Sequence, residues 1–106
     1  MEITAEDRKE LNGFVEISKN QSPNYVNVIN SARNEWGIEN LEDCVFGIVF
    51  HKYMDLSGQY LKDKMVDNTD TANAENTIET SDVLFDVWRD RVPEIKHAIL
   101  EASKLD

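Results

Sequence analysis

Two pairs of side chains have the spacing of helical metal ligands: His51 with Asp55, and His97 with Glu101. Positions four apart share a helix face, and two such pairs on facing helices could hold one metal ion. Di-metal bundles instead bring four carboxylates with two Glu-x-x-His motifs, and that full set is missing here. Cys44 and His51 would form a thiol–imidazole pair, but seven residues of helix rise by about 10.5 Å, far beyond a reach of ~3 Å. Counted from Asn68 as the first ligand, Asp70 and Glu79 fall at the third and twelfth places of a calcium loop. Ala72 as the fifth ligand, Asn73 where glycine belongs and Glu75 at an apolar place all depart from that pattern.

Gly-rich phosphate loops, Gly-x-Ser-x-Gly, His-Glu-x-x-His and Cys-x-x-Cys are absent, and no stretch carries a recognisable family motif. With 4 Gly and 2 His in the chain, catalysis would fall to carboxylates, Tyr or Lys. An enzyme is therefore not expected, and no cofactor is implied. A metal-binding or catalytic bundle on His51, Asp55, His97 and Glu101 is the alternative reading.

Charge is the more informative property. Lys plus Arg total 11 and Asp plus Glu 21, a net charge of −10 over 106 residues. Nucleic acid and anionic membranes both need a basic surface, so a basic protein partner is the expectation. Residues 67–82 hold five acids and no base, half of the net charge in one stretch. Asp82, Asp86, Asp90 and Glu94 follow at every fourth position, a ridge expected to dock that partner, with Asp67, Asp70, Glu75 and Glu79 adding long-range attraction.

The elements that must position these residues read as helices. Thr4 with Asp7 three residues on resembles an N-cap, followed by Leu11, Phe14, Val15 and Ser18 at helical spacing. Ser22-Pro23 signals a second start, with a stripe through Tyr25, Val26, Ile29, Ala32, Arg33 and Trp36, and Gly37 as a left-handed C-terminal cap. Asn40 opens a third segment. Leu41, Val45, Val49, Tyr53, Leu56 and Tyr60 predict a long helix, with a bend at Ser57–Gly58. Residues 67–80 contain one large apolar residue, Ile78, and read as an acidic mobile loop. Ser81 caps the last stripe, Leu84, Trp88, Val92, Ile95, Ile99 and Ala102, which keeps its phase across Pro93 and so predicts a kink.

The expected architecture is a single all-α domain over 1–106, an antiparallel four-helix bundle with a long central third helix and a Pro-kinked last one. The helices fall at 4–19, 23–36, 41–66 and 82–104, with Phe14, Ile29, Val45, Val49, Leu84, Trp88, Ile95 and Ile99 in the core. Cys44, Gly47, His51, Met54 and Gly58 share one narrow side of the third helix, where small residues admit a neighbouring backbone. Intrachain packing is the first explanation and a self-association groove the second. The length and wide apolar arc of that helix favour the second and predict a homodimer. One cysteine, no apolar run of membrane length and an acidic first stretch unlike a secretory signal predict a cytoplasmic protein.

Overall fold

The computed structural model describes residues 3–67 and 74–104, with side chains over 3–64 and 82–104. Within them lie α1 (Ala5–Asn20), α2 (Ser22–Trp36), α3 (Leu41–Asp67) and α4 (Ala74–Ser103), and no strand occurs among the described residues. The all-α, four-helix architecture read from periodicity is therefore present.

The caps explain where each helix begins and ends. At Thr4 the Asp7 N–H donates to the hydroxyl (3.1 Å) and the Thr4 N–H donates to Asp7 Oδ2 (2.8 Å), a reciprocal capping box. Gln21 alone separates α1 from α2. A helical hairpin needs a connection of about 2–5 residues, so α1 and α2 do not fold back on each other and instead form one bent rod. Pro23 accounts for the break, because it has no N–H for the Lys19 carbonyl and its ring crowds that carbonyl. Ser22 does not cap α2 as expected. Gln21 holds the cap position without a side-chain bond, and the buried Ser22 hydroxyl has no partner among the described residues.

Gly37 ends α2 at φ 71°, ψ 30°, where its N–H and that of Ile38 (2.8 Å) donate to the Arg33 carbonyl. Asn40 Oδ1 accepts the Asp43 N–H (2.9 Å) to start α3, which runs unbroken through Ser57–Gly58. Helix α4 starts at Ala74, eight residues before the expected Asp82, so Ser81 is no cap and residues 74–80 are helical rather than loop. Residues 74–80 hold neither Gly nor Pro, so nothing in the backbone stops a helix nucleated at Leu84 and Trp88 from propagating backwards, and acids in the first turns favour its N-terminus. At the other end α4 continues through Pro93. The proline is exposed, so the Arg89 carbonyl that it leaves without a donor can meet water.

The bent α1–α2 rod, α3 and α4 lie side by side. Asn12 and Lys19 meet Arg91 and Glu94, so α1 runs with α4, while Asp7 meets Lys64 and Phe46 meets Lys96, so α3 runs against both. Helix α3 spans about 40 Å at 1.5 Å per residue, and the molecule extends 48 × 25 × 18 Å, so its length is matched within the chain. The core holds the expected Ile29, Val45, Val49, Leu84, Trp88, Ile95 and Ile99. Phe14 is half-buried, edge-on to Tyr60 at 5.7 Å, and Trp36, on the last turn before the cap, is 61% exposed instead of continuing its stripe inward.

Trp88 sits among Phe50 (5.0 Å), Tyr53 (5.2 Å) and Phe46 (5.4 Å) and ties α4 to α3. The buried Tyr53 hydroxyl donates to the Leu84 carbonyl (2.7 Å), and burial pushes its pKa up to about 12. Truncating Trp88 to Ala should cost about 3–5 kcal/mol; urea denaturation monitored by circular dichroism measures it, and a loss under about 1 kcal/mol would show that this cluster does not hold the helices together.

Candidate functional site

Helix α4 carries the four acids of the predicted ridge, and its geometry divides them. A helix advances about 100° per residue, so each four-residue step gains about 40° and three steps carry a side chain about 120° around the axis. Asp82 begins on the α3 side of the exposed face, and Glu94 ends against α1. The Arg91 guanidinium bonds Glu94 and Glu16 and also donates to Asn12 Oδ1 (3.1 Å), while Lys19 Nζ reaches both Glu16 and Glu94 at 3.0 Å. Arg91 and then Lys19 hold the Glu94 carboxyl at a pKa of about 2, although its side chain is 44% exposed. Lys19 likewise keeps Glu16 below the usual carboxylate range.

Glu94 is therefore a tie between α1 and α4 and not part of a free ridge. Asp82, Asp86 and Asp90 remain exposed; Asp86 meets Arg89 at 3.4 Å, with both side chains more than half in solvent. Asp67 ends α3, Glu75 and Glu79 lie on the first turns of α4, and Asp70 lies outside the described residues. The helical backbone of 74–79 replaces half of the twelve-residue span that a calcium loop would need.

The predicted ligand pairs do not converge. His51, Asp55, His97 and Glu101 are all exposed, and Glu101 meets Lys104 at 3.5 Å. Phe50 stacks edge-on against Trp88, so His51 is level with Trp88, and His97 lies about 13 Å further along α4 at 1.5 Å per residue. Among the described residues no three of His, Cys, Asp and Glu gather as a metal site would require.

The small-residue side of α3 faces outward. Among the described residues a Cβ built on Gly47 or Gly58 would meet nothing within 4 Å, so no neighbouring backbone approaches closely at either glycine, while Cys44 and Met54 of the same side do pack against the core. His51 is exposed and Met54 half-buried, and Cys44 packs against the edge of the core instead of inside it.

Two features escaped sequence reasoning. Asp7 is 1% exposed, and besides capping α1 it accepts from Tyr60 Oη (2.9 Å) and Lys64 Nζ (2.6 Å to Oδ1). Burial raises its pKa, but the Lys64 ammonium and the Thr4 and Tyr60 hydrogen bonds together outweigh that and hold it at about 2, while the bond to Asp7 lifts Tyr60 to about 12. The helical spacing of Tyr60 and Lys64 was visible, but only the antiparallel placement of α1 on α3 brings them to Asp7. The second feature is an apolar groove between α3 and α4, on the side away from α1 and α2. Phe50 stacks on Phe85 (6.2 Å), Lys96 lies over the Phe46 ring (5.6 Å), and Phe85 and Leu100 are each 41% exposed. An open hollow of about 220 Å³ lies at the Leu100 end, lined by Glu42, Asp43, Phe46, Lys96 and Ile99.

No family model, curated protein or solved structure matches the chain.

The two kinds of acid should separate on mutation. Glu94→Gln should lower stability by about 0.5–1 kcal/mol and Asp90→Asn should leave it unchanged; equal thermal midpoints for the two variants would put Glu94 back on the free ridge. Asp7 has a folded pKa depressed from 3.8 to about 2. Its stabilisation is thus fully present above pH 3.8 and is lost as pH falls through 2, an amount of about 2 kcal/mol. Urea midpoints at about pH 5 and pH 2 should therefore diverge more for the wild type than for Asp7→Asn, and an equal divergence would contradict the assignment.

Proposed function

We propose that the chain is a small acidic interaction module that docks, and by docking can inhibit, a basic protein partner. The observation supporting this is that Asp82, Asp86 and Asp90 stay exposed along α4 although cations stand nearby on α1 and α4 and neutralise Glu94. A surface evolved only for solubility has no need to concentrate half of a net charge of −10 in sixteen residues. The exposed carboxylates set register on a rigid helix, and Asp67, Asp70, Glu75 and Glu79 add attraction at longer range. The same charge disfavours direct contact with nucleic acid. No described helix is long and apolar enough to cross a membrane. The cytoplasm suits a chain whose one cysteine, Cys44, is free.

Affinity capture at low salt identifies the partner, and stopped-flow association then tests the site. Replacing Asp86 and Asp90 with Asn should slow association at about 0.1 M salt, where the Debye length is ~10 Å, and leave it unchanged at about 1 M, where it is ~3 Å. Stability should hold or rise slightly, because a like-charge pair at four-residue spacing disappears. Rates equal to wild type at both salt concentrations would reduce the ridge to a solvated face.

A further inference from the structure

We infer that the groove between α3 and α4 is the seat of a cationic amphipathic helix supplied by the partner, an inference that rests on the basic-partner reading. Its floor is apolar and aromatic: Phe46 and Phe50 from α3, Phe85 and Leu100 from α4. Phe85 and Leu100 stand fifteen residues apart on one side of α4 and are the exposed ends of this strip. That separation is about 22 Å at 1.5 Å per residue, the length of about four helical turns. A helix lies in such a groove through anchors at i, i+3 or i+4, and i+7.

The charge around the groove selects the sign of the occupant. Glu42 and Asp43 line the hollow at one end, and the exposed Asp82 lies one helical turn before Phe85 at the other. Of the cations along the walls, Arg89 is balanced by Asp86 at 3.4 Å and Lys96 lies over the Phe46 ring at 5.6 Å, so Glu42 and Asp43 leave the hollow acidic and Asp82 stays unmatched among the described residues at the other end. A second copy would bring another net charge of −10 to this face, whereas a helix with an apolar stripe and Lys or Arg near both ends meets complementary charge at each end. The acids that steer a basic partner thus continue into a surface that can retain it.

The test uses the full chain and a synthetic helical peptide of about 16 residues, with a leucine stripe and lysines at both ends. One control scrambles the stripe at equal charge, and a second replaces the lysines with glutamates. Calorimetric titration should show the striped cationic peptide binding at least about tenfold tighter than either control. Phe85→Ala and Leu100→Ala, at opposite ends of the groove and both partly exposed, should each weaken it about fivefold or more with the helical circular dichroism spectrum retained at the titration temperature. Equal binding of the striped and scrambled cationic peptides, insensitive to both variants, would overturn the groove and leave the basic-partner reading standing. No binding by either cationic peptide at about 0.05 M salt would overturn both. A mass by light scattering of twice 12.2 kDa, returning to the single-chain value in Phe85→Ala, would assign the groove to a second copy and overturn the inference.

Discussion

A side chain repeated every fourth residue on a helix of 3.6 residues per turn drifts about 40° per step, and this drift organises both long helices. On α3 the buried stripe runs Leu41, Val45, Val49, Tyr53, Ser57, Leu61, always by fours, and winds about 200° around the axis in five steps. Such a stripe can be buried along its whole length only if neighbours cover different sides of α3 at different heights. The bent rod provides this cover: α2 packs near the start of α3, and α1 near its end, where Asp7 meets Tyr60 and Lys64. The break at Gln21–Pro23 lets one rod follow the winding face.

The same drift acts on the surface of α4 and separates the work of its acids. Asp82 starts toward the α3 side, Asp86 and Asp90 stay exposed, and Glu94 is carried to α1, where Arg91 and Lys19 neutralise it. The wall of α4 at Phe85 and Leu100, facing Phe46 and Phe50, is left without a third helix, because the α1–α2 rod occupies the opposite side. One geometric mismatch therefore yields a wound core, an electrostatic tie and an uncovered apolar groove beside exposed carboxylates.

Much of the architecture was legible in the sequence because it depends on local rules. Thr4, Gly37 and Asn40 mark helix ends through bonds spanning three to five residues, and the stripes of α3 and α4 named the core around Val49 and Trp88. What was not legible depends on which helices become neighbours. Asp7 read as a cap but is also half of a buried ion pair formed with Lys64, 57 residues away. Glu94 read as the fourth step of a ridge because sequence spacing alone does not say where α1 lies. The early start of α4 was hidden because the polar residues of 74–80 oppose helix only weakly, so propagation from a packed segment outweighs their propensity. The glycines of α3 suggested close packing, yet their spacing says nothing about whether a neighbour is there, and among the described residues none approaches Gly47 or Gly58.

On the proposed function the acids of α4 have different tasks, docking for Asp82, Asp86 and Asp90 and internal bonding for Glu94. Nuclear magnetic resonance of the isotopically labelled chain, titrated with a short lysine-rich peptide, reads this residue by residue. Side-chain carboxyl shifts are expected to concentrate at Asp82, Asp86 and Asp90, with a quiet Glu94 and no comparable response from Glu35 of α2 or Glu39 of the α2–α3 connection. Shifts of equal size at Glu94 or at Glu35 and Glu39 would contradict it.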